Sequence, residues 1–310
     1  MKDSYRKVSL VRLCRLLGIT RQAWYQHFLR EQIENVEQQL VVDEVRRIRE
    51  RHRRMGGRKL YELLEPFMLE HQIKMGRDAL FTLLSANGLL VRKKRSRVRT
   101  TNSFHWLRKY PNLISNFIPS APNQVWVSDI TYWKIHTGFV YISFITDAYS
   151  RKVVGYHVAE TLQAVETLTA LEMALSNLDE LPANLIHHSD RGIQYCSSGY
   201  VKLLQDYGIG ISMTENGDPR ENAIAERLNG IIKHEYLYDT KIRNIQQAHD
   251  KLKQSVKLYN GERPHSSVGN LTPENVHLNK LNTQRLWKNY YPKNCKIVNP
   301  LQDYNESVNI

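Results

Sequence analysis

Three acids stand out by where the sequence puts them. Asp129 interrupts the apolar run QVWVSDITYW, Asp190 closes the run NLIHHSD, and Glu226 sits within NAIAERLNGIIKHEYLY. Residues 130 to 189 number 60 and residues 191 to 225 number 35, so the order is D, 60 residues, D, 35 residues, E. Carboxylates gathered from such distant segments repel one another unless cations lie among them, and hard oxygen donors select Mg²⁺ or Mn²⁺. Two ions per site define a chemistry: one activates an attacking water or hydroxyl oxygen, and the other stabilises the leaving oxygen of an in-line displacement at a phosphodiester. Each acid alone has an ordinary alternative. Asp129 reads equally as a sheet-edge surface position, Asp190 as a cap for SSGYVK, and Glu226 as a solvated helix residue.

The elements that must carry these acids follow from periodicity. QVWVSDITYW, GFVYISFITDAYS and RKVVGYHVAET are rich in β-branched and aromatic residues and are separated by short polar breaks, which predicts an antiparallel meander. AVETLTALEMALSNL then has helical periodicity, followed by the strand NLIHHSD, the helix SSGYVKLLQDYG, the strand IGISMT and the helix that starts at Asn222. That order is a mixed α/β domain and matches a ribonuclease-H-like scaffold. In the last helix Ile224, Leu228, Ile231 and Ile232 share an apolar face. Glu226 lies about 200° from Ile224 at about 100° per residue, and Asn222, Asn229 and Lys233 fall on its side. Rival acids are placed differently: Asp147 reads as a turn cap and Glu215 adjoins the turn signal Asn216-Gly217. His188 reads equally as a strand-packed residue or as one approaching the reacting phosphate.

Charge is segregated along the chain. The formal net charge is +13, yet residues 1–121 hold 25 Lys/Arg against 11 Asp/Glu, whereas residues 122–310 hold 19 against 20. A basic half joined to a neutral half implies a polyanion partner, nucleic acid first. SLVRLCRLLGITRQAWYQHF has a helix-turn-helix outline over residues 1–38, with Arg21 and Gln22 on the second helix where they can reach a major groove. A second such unit spans 39–100, broken at Gly56-Gly57 and stopped by Asn87-Gly88. It ends in the acid-free run holding Arg92, Lys93, Lys94, Arg95 and Arg97, expected on a DNA backbone. Residues 101–121 read as a basic, proline-containing linker, 122–282 as the catalytic core and 283–310 as a tail. Three scattered cysteines support neither disulfides nor a thiolate zinc site. No long apolar run suggests a membrane span or a signal peptide, so a cytoplasmic location is expected.

The stretches WVSDITYW, HSDRGIQY, NAIAERLNGIIKHE, YNGERPHSSVGNLTPE and GGRKLYELL resemble the DDE transposases with a retroviral-integrase-like core, in particular the second-reading-frame products of bacterial insertion sequences of family three. The similarity runs from about Arg12 to Val276. It implies that Asp129, Asp190 and Glu226 are the metal-binding catalytic triad and that Lys233 helps to hold the transposon end; Asn222 and Asn229, on the same polar side of the helix, are further candidate DNA contacts. It implies nicking of double-stranded DNA at the element's terminal inverted repeats, then attack of the freed 3′-hydroxyl on target DNA. Holding two ends implies a homo-oligomer on DNA, and the upstream-frame product of the same element is a further expected partner. Arg263 and His265 of YNGERPHSS match a family feature read as structural or DNA-contacting. The competing readings are a catalytically inert DNA-binding protein and a ribonuclease H-type nuclease.

Overall fold

The structure is a computed structural model that describes residues 9–91, 106–115, 117–215, 221–238 and 240–286. The chain divides into two compact units, Met1–Arg51 with Met55–Arg92, and His52–Arg54 with Lys93–Ile310. Among the described residues, no helix is long and apolar enough to cross a membrane.

The first unit is helical: α1 (Leu10–Leu16), α2 (Arg21–Arg51), α3 (Gly57–Glu70) and α4 (Arg77–Ala86). Thr20 starts α2, its hydroxyl accepting from the Ala23 N–H at 3.1 Å, as an N-cap does. Val41, Val42 and Val45 of α2 pack with Leu60 and Leu64 of α3 and Leu80 and Leu84 of α4. The expected division at residues 38/39 falls inside α2. Between Arg21 and Arg51 the chain has neither Gly nor Pro, so nothing interrupts the helix there.

The second unit is built on a five-stranded sheet. Its strands are β1 (Val125–Ile135), β2 (Gly138–Asp147), β3 (Val153–Ala159), β4 (Ile186–Ser189) and β5 (Gly210–Met213), in the order β3-β2-β1-β4-β5. The first three form the meander, β1 and β2 joined by a turn ending at Gly138 with φ 139°, a value that only glycine adopts freely. β4 runs parallel to β1 and β5 parallel to β4, each reached through a helix, α5 (Ala164–Ser176) and α6 (Ser198–Asp206). Alternation along the strands divides the core. Trp126 and Ile145 face Leu171 of α5 and Tyr200 and Leu204 of α6. Trp133, Ile142 and Phe144 face the other way, onto α7 (Ala223–Ile231), the π-helical turn Ile232–Leu237 and α8 (Ile245–Gly261). α9 (Pro273–Asn279) ends the described helices.

The stretch expected to be a linker is packed onto this unit over its described part. Tyr110 is buried in the core, the Pro111 carbonyl accepts from Met213 N–H at 3.2 Å, and the Leu113 N–H donates to Ser212 Oγ at 2.9 Å. Its spaced apolar residues, rather than its prolines, decide the outcome: Leu113, Ile114 and Phe117 cover Val125 and Val127.

Candidate active site

Asp129 and Asp190 meet through strand register. β1 and β4 pair Val125 with Ile186 and Val127 with His188; continuing by two residues brings Asp190, which follows β4, alongside Asp129. Period-two alternation turns both toward the α7 face. Asp129 Oδ1 accepts from the Ile130 N–H at 2.9 Å and Oδ2 from Asn229 Nδ2 at 2.7 Å. Asp190 Oδ1 accepts from the Gly192 N–H at 3.0 Å. Glu226 lies in the first turn of α7 and is exposed.

The three carboxylates feel one another. Burial pushes the Asp129 carboxyl up to about 7, and the charges of Asp190 and Glu226 push in the same direction against the Ile130 and Asn229 hydrogen bonds. Glu226 is also raised, by burial and then by Asp190. Lys233, on the π-helical turn, lies with Nζ 3.8 Å from the Tyr132 ring centroid. Burial lowers its pKa while the Asp129 charge raises it.

This donor set is chemically suited to a hard divalent cation, because a cation among partly desolvated, mutually repelling carboxylates favours their charged forms and offsets both causes of the raised pKa values. Among the described residues, no three His, Cys, Asp or Glu side chains converge into a ready-made ion cage. Mg²⁺ does not require one, since it commonly takes one or two carboxylates and completes its shell with water and substrate phosphates.

Beneath the carboxylates lies a buried polar layer. His187 Nε2 is 2.7 Å from Ser128 Oγ and 2.9 Å from Tyr200 Oη, and burial holds its pKa down to about 3. His188 is wholly buried, Nδ1 2.8 Å from Ser212 Oγ, with its pKa lowered to about 4 by burial; both are packed, neutral strand residues. Among the described residues the buried Tyr195 hydroxyl has no hydrogen-bond partner, and its pKa is raised by burial, Tyr200, Asp129 and Asp190. No sequence pattern marks Tyr195, Tyr200 or Ser128, because spacing along the chain does not show which side chains meet behind a strand.

Two expected DNA contacts have other partners. Asn222 and Asn229 are buried, at 5% and 7% exposure. Asn222 Nδ2 donates to the Ser128 carbonyl at 2.9 Å and Asn229 to Asp129, so both amides tie α7 to β1 instead of facing solvent. The helical wheel placed them correctly beside Glu226, but that side of α7 leans on the strand. Asp147 is a turn cap, accepting from the backbone N–H groups of Asn123 and Ser150 at 2.7 Å each. Arg21 and Gln22 open α2 and are exposed. Arg92, Lys93, Lys94, Arg95 and Arg97 lie outside the described residues.

Comparison with known proteins agrees with this architecture. Two models of the integrase core domain match, over residues 119–219 and 207–273. The chain is 35% identical over 266 residues to the insertion element IS600 31 kDa protein of Shigella sonnei, covering 84% of this chain and 96% of that protein. It is 31% identical to the transposase of insertion sequence element IS629 from the same organism, covering 72% and 74%. Among solved structures it resembles the catalytic core domain of HTLV-2 integrase in complex with magnesium, at 22% identity and a TM-score of 0.41 over 51% of this chain and 97% of that one. With an integrase core laid over its acid-bearing sheet and a relative matched along nearly its whole length, the chain belongs to the bacterial insertion-sequence transposases of family three.

Proposed function

We propose that this protein cleaves DNA at the ends of its insertion sequence and joins the freed 3′-hydroxyl to target DNA, using Asp129, Asp190 and Glu226. The observation that carries the reading is the adjacency of Asp129 and Asp190 across β1 and β4, with both charges coupled to Glu226 on α7. Asp129 and Asp190 would hold Mg²⁺ or Mn²⁺, two ions per site with Glu226, and the bound ions would supply activation of the attacking oxygen and charge neutralisation of the leaving one. The protein's own work is positional. The Ile130 N–H and Asn229 fix both oxygens of Asp129, the Gly192 N–H fixes Asp190, and the rigid mount of α7 presents Glu226. Lys233, held against Tyr132, supplies a cation for a backbone phosphate of the terminal repeat.

Arg21 and Gln22 would read or grip the duplex, and Arg92, Lys93, Lys94, Arg95 and Arg97 would bind its backbone. A homo-oligomer would hold the paired ends, alone or with the upstream-frame product, in the cytoplasm.

The test is incubation of the purified chain with DNA carrying its element's end, in the presence of Mg²⁺ or Mn²⁺. Nicking and strand transfer are expected, and Asp190→Asn should abolish both. Unchanged activity in that variant would overturn the assignment, end binding without any nicking would favour an inert binding protein, and preference for RNA in hybrids would favour a ribonuclease H-type enzyme.

A further inference from the structure

We infer that Arg263 and Glu235 are positioning residues for the site proposed above: their ion pair, buried at Arg263 and partly buried at Glu235, locks the π-helical turn that carries Lys233 and continues the helix of Glu226. This rests on the catalytic reading of the preceding section and extends it to two residues remote from the carboxylates.

The pair is tightly specified. Arg263 Nε donates to Glu235 Oε2 and Nη2 to Glu235 Oε1, both at 2.8 Å, while Nη1 donates to the Pro264 carbonyl at 3.2 Å. Arg263 is 3% exposed. Its own N–H donates to the Leu258 carbonyl at 3.1 Å, so the guanidinium is mounted just past the C-terminus of α8, where the helix dipole favours a cation.

Glu235 stands two residues after Lys233, on the same π-helical turn, and α7 runs into that turn without a break. A π-helical turn is rare, occurs mostly as a local insertion, and is frequent at functional sites. Its persistence calls for tertiary contacts. Tyr236 and Leu237 supply an apolar hold within the core, but apolar burial fixes depth better than it fixes rotation. A two-pronged guanidinium–carboxylate pair fixes both distance and angle.

Energetics separate positioning from stability. Replacing both members of a buried ion pair with apolar residues of similar size is often neutral for stability, whereas removing one member is costly. A pair of this kind is therefore better explained by the geometry it imposes than by the stability it adds. Here the imposed geometry is the rotation of the segment bearing Lys233, whose ammonium lies over Tyr132, and of the helix bearing Glu226.

The experiment uses the full chain and DNA carrying the element's end. Glu235→Met/Arg263→Leu should leave the thermal midpoint close to that of the parent and weaken end binding no more than Lys233→Ala does, yet lower the single-turnover cleavage rate at saturating protein by about tenfold to a hundredfold, the cost of a misplacement near 1 Å. In that background Lys233→Ala should cost much less than it does in the parent, because residues acting as a unit are not additive. Cleavage within twofold of the parent, or a fully multiplicative Lys233→Ala effect, overturns the inference. Should the double variant fail to fold, Arg263→Lys carries the test: it keeps the charge but loses the fork. Slower cleavage at an unchanged thermal midpoint, with end binding weakened no more than by Lys233→Ala, supports positioning, and parallel losses of cleavage, end binding and thermal midpoint overturn it. Asp190→Asn, run alongside, separates the two levels: if it cleaves normally the catalytic reading fails, and if it is inactive while both pair variants cleave normally only the present inference fails.

Discussion

Asn229 donates to Asp129 from a position three residues beyond Glu226, so one turn of α7 carries a site carboxylate and the group that orients another. A hydrogen bond to a charged group contributes about 1.5–3 kcal/mol, or roughly tenfold to a hundredfold in rate if its geometry persists in the transition state. Asn229→Ala is therefore expected to slow single-turnover cleavage by that factor, and Asn229→Asp to slow it further by adding a like charge beside Asp129. An alanine variant as fast as the parent would show that Asp129 is oriented by other groups. The three acids were legible as candidates: Asp129 interrupts an apolar run, Asp190 ends one, and Glu226 lies on the polar side of an amphipathic helix. Asn229 was not, since a helical wheel reports which residues share a side and says nothing of what that side leans on.

At the scale of elements, strands and helices were legible wherever one face is buried, because burial on one side writes a period into the sequence. The π-helical turn was not: IIKHEYL reads as ordinary helix, and the contacts this turn makes with α8 and with Arg263 come from segments distant in sequence. Close approach is equally invisible. A Cβ at Gly155 of β3 would collide with the Ala170 carbonyl and lie 2.8 Å from Ala174 Cβ on α5, so Gly155→Ala should force α5 away from the sheet. Overpacking of this kind costs about 1–3 kcal/mol, and each 1 kcal/mol lowers the midpoint by roughly 2–4 °C in a domain of this size; an unchanged thermal midpoint would refute the close packing. The β4 strand adds a pH dependence. An unfolded histidine takes up a proton near 6.5, whereas burial holds folded His187 neutral down to about 3. The unfolded chain thus binds more protons between those values, so stability is complete above pH 6.5 and declines as pH falls, by up to about 1.4 kcal/mol per unit for this one group. Thermal midpoints measured from pH 7 to pH 4.5 should drop less steeply in His187→Gln than in the parent; equal slopes would remove His187 as a source of acid sensitivity.

For the molecule as a whole, the charge asymmetry divides labour between a basic stretch, residues 1–121 with 25 Lys/Arg against 11 Asp/Glu, and the following residues, whose clustered carboxylates would repel a phosphate backbone. Under the proposed function Asp129, Asp190 and Glu226 would face a polyanion only when cations compensate them, whereas the basic half would attract DNA from a distance and without sequence preference. Affinity for DNA should consequently be governed by phosphate contacts, with the logarithm of the binding constant falling linearly against the logarithm of salt at about −0.9 per phosphate neutralised. The run of Arg92, Lys93, Lys94, Arg95 and Arg97 holds five of these cations with no acid interspersed. Changing all five to Gln should make the slope shallower by up to about 4.5 if each contacts one phosphate, while the cleavage rate of DNA already bound at low salt stays near that of the parent. Equilibrium binding across a salt series checks the first expectation and single-turnover cleavage at saturating protein checks the second. A slope equal to the parent's would assign the run to another task, and a selective loss of cleavage with unchanged binding would place it at the chemistry instead of on the DNA backbone.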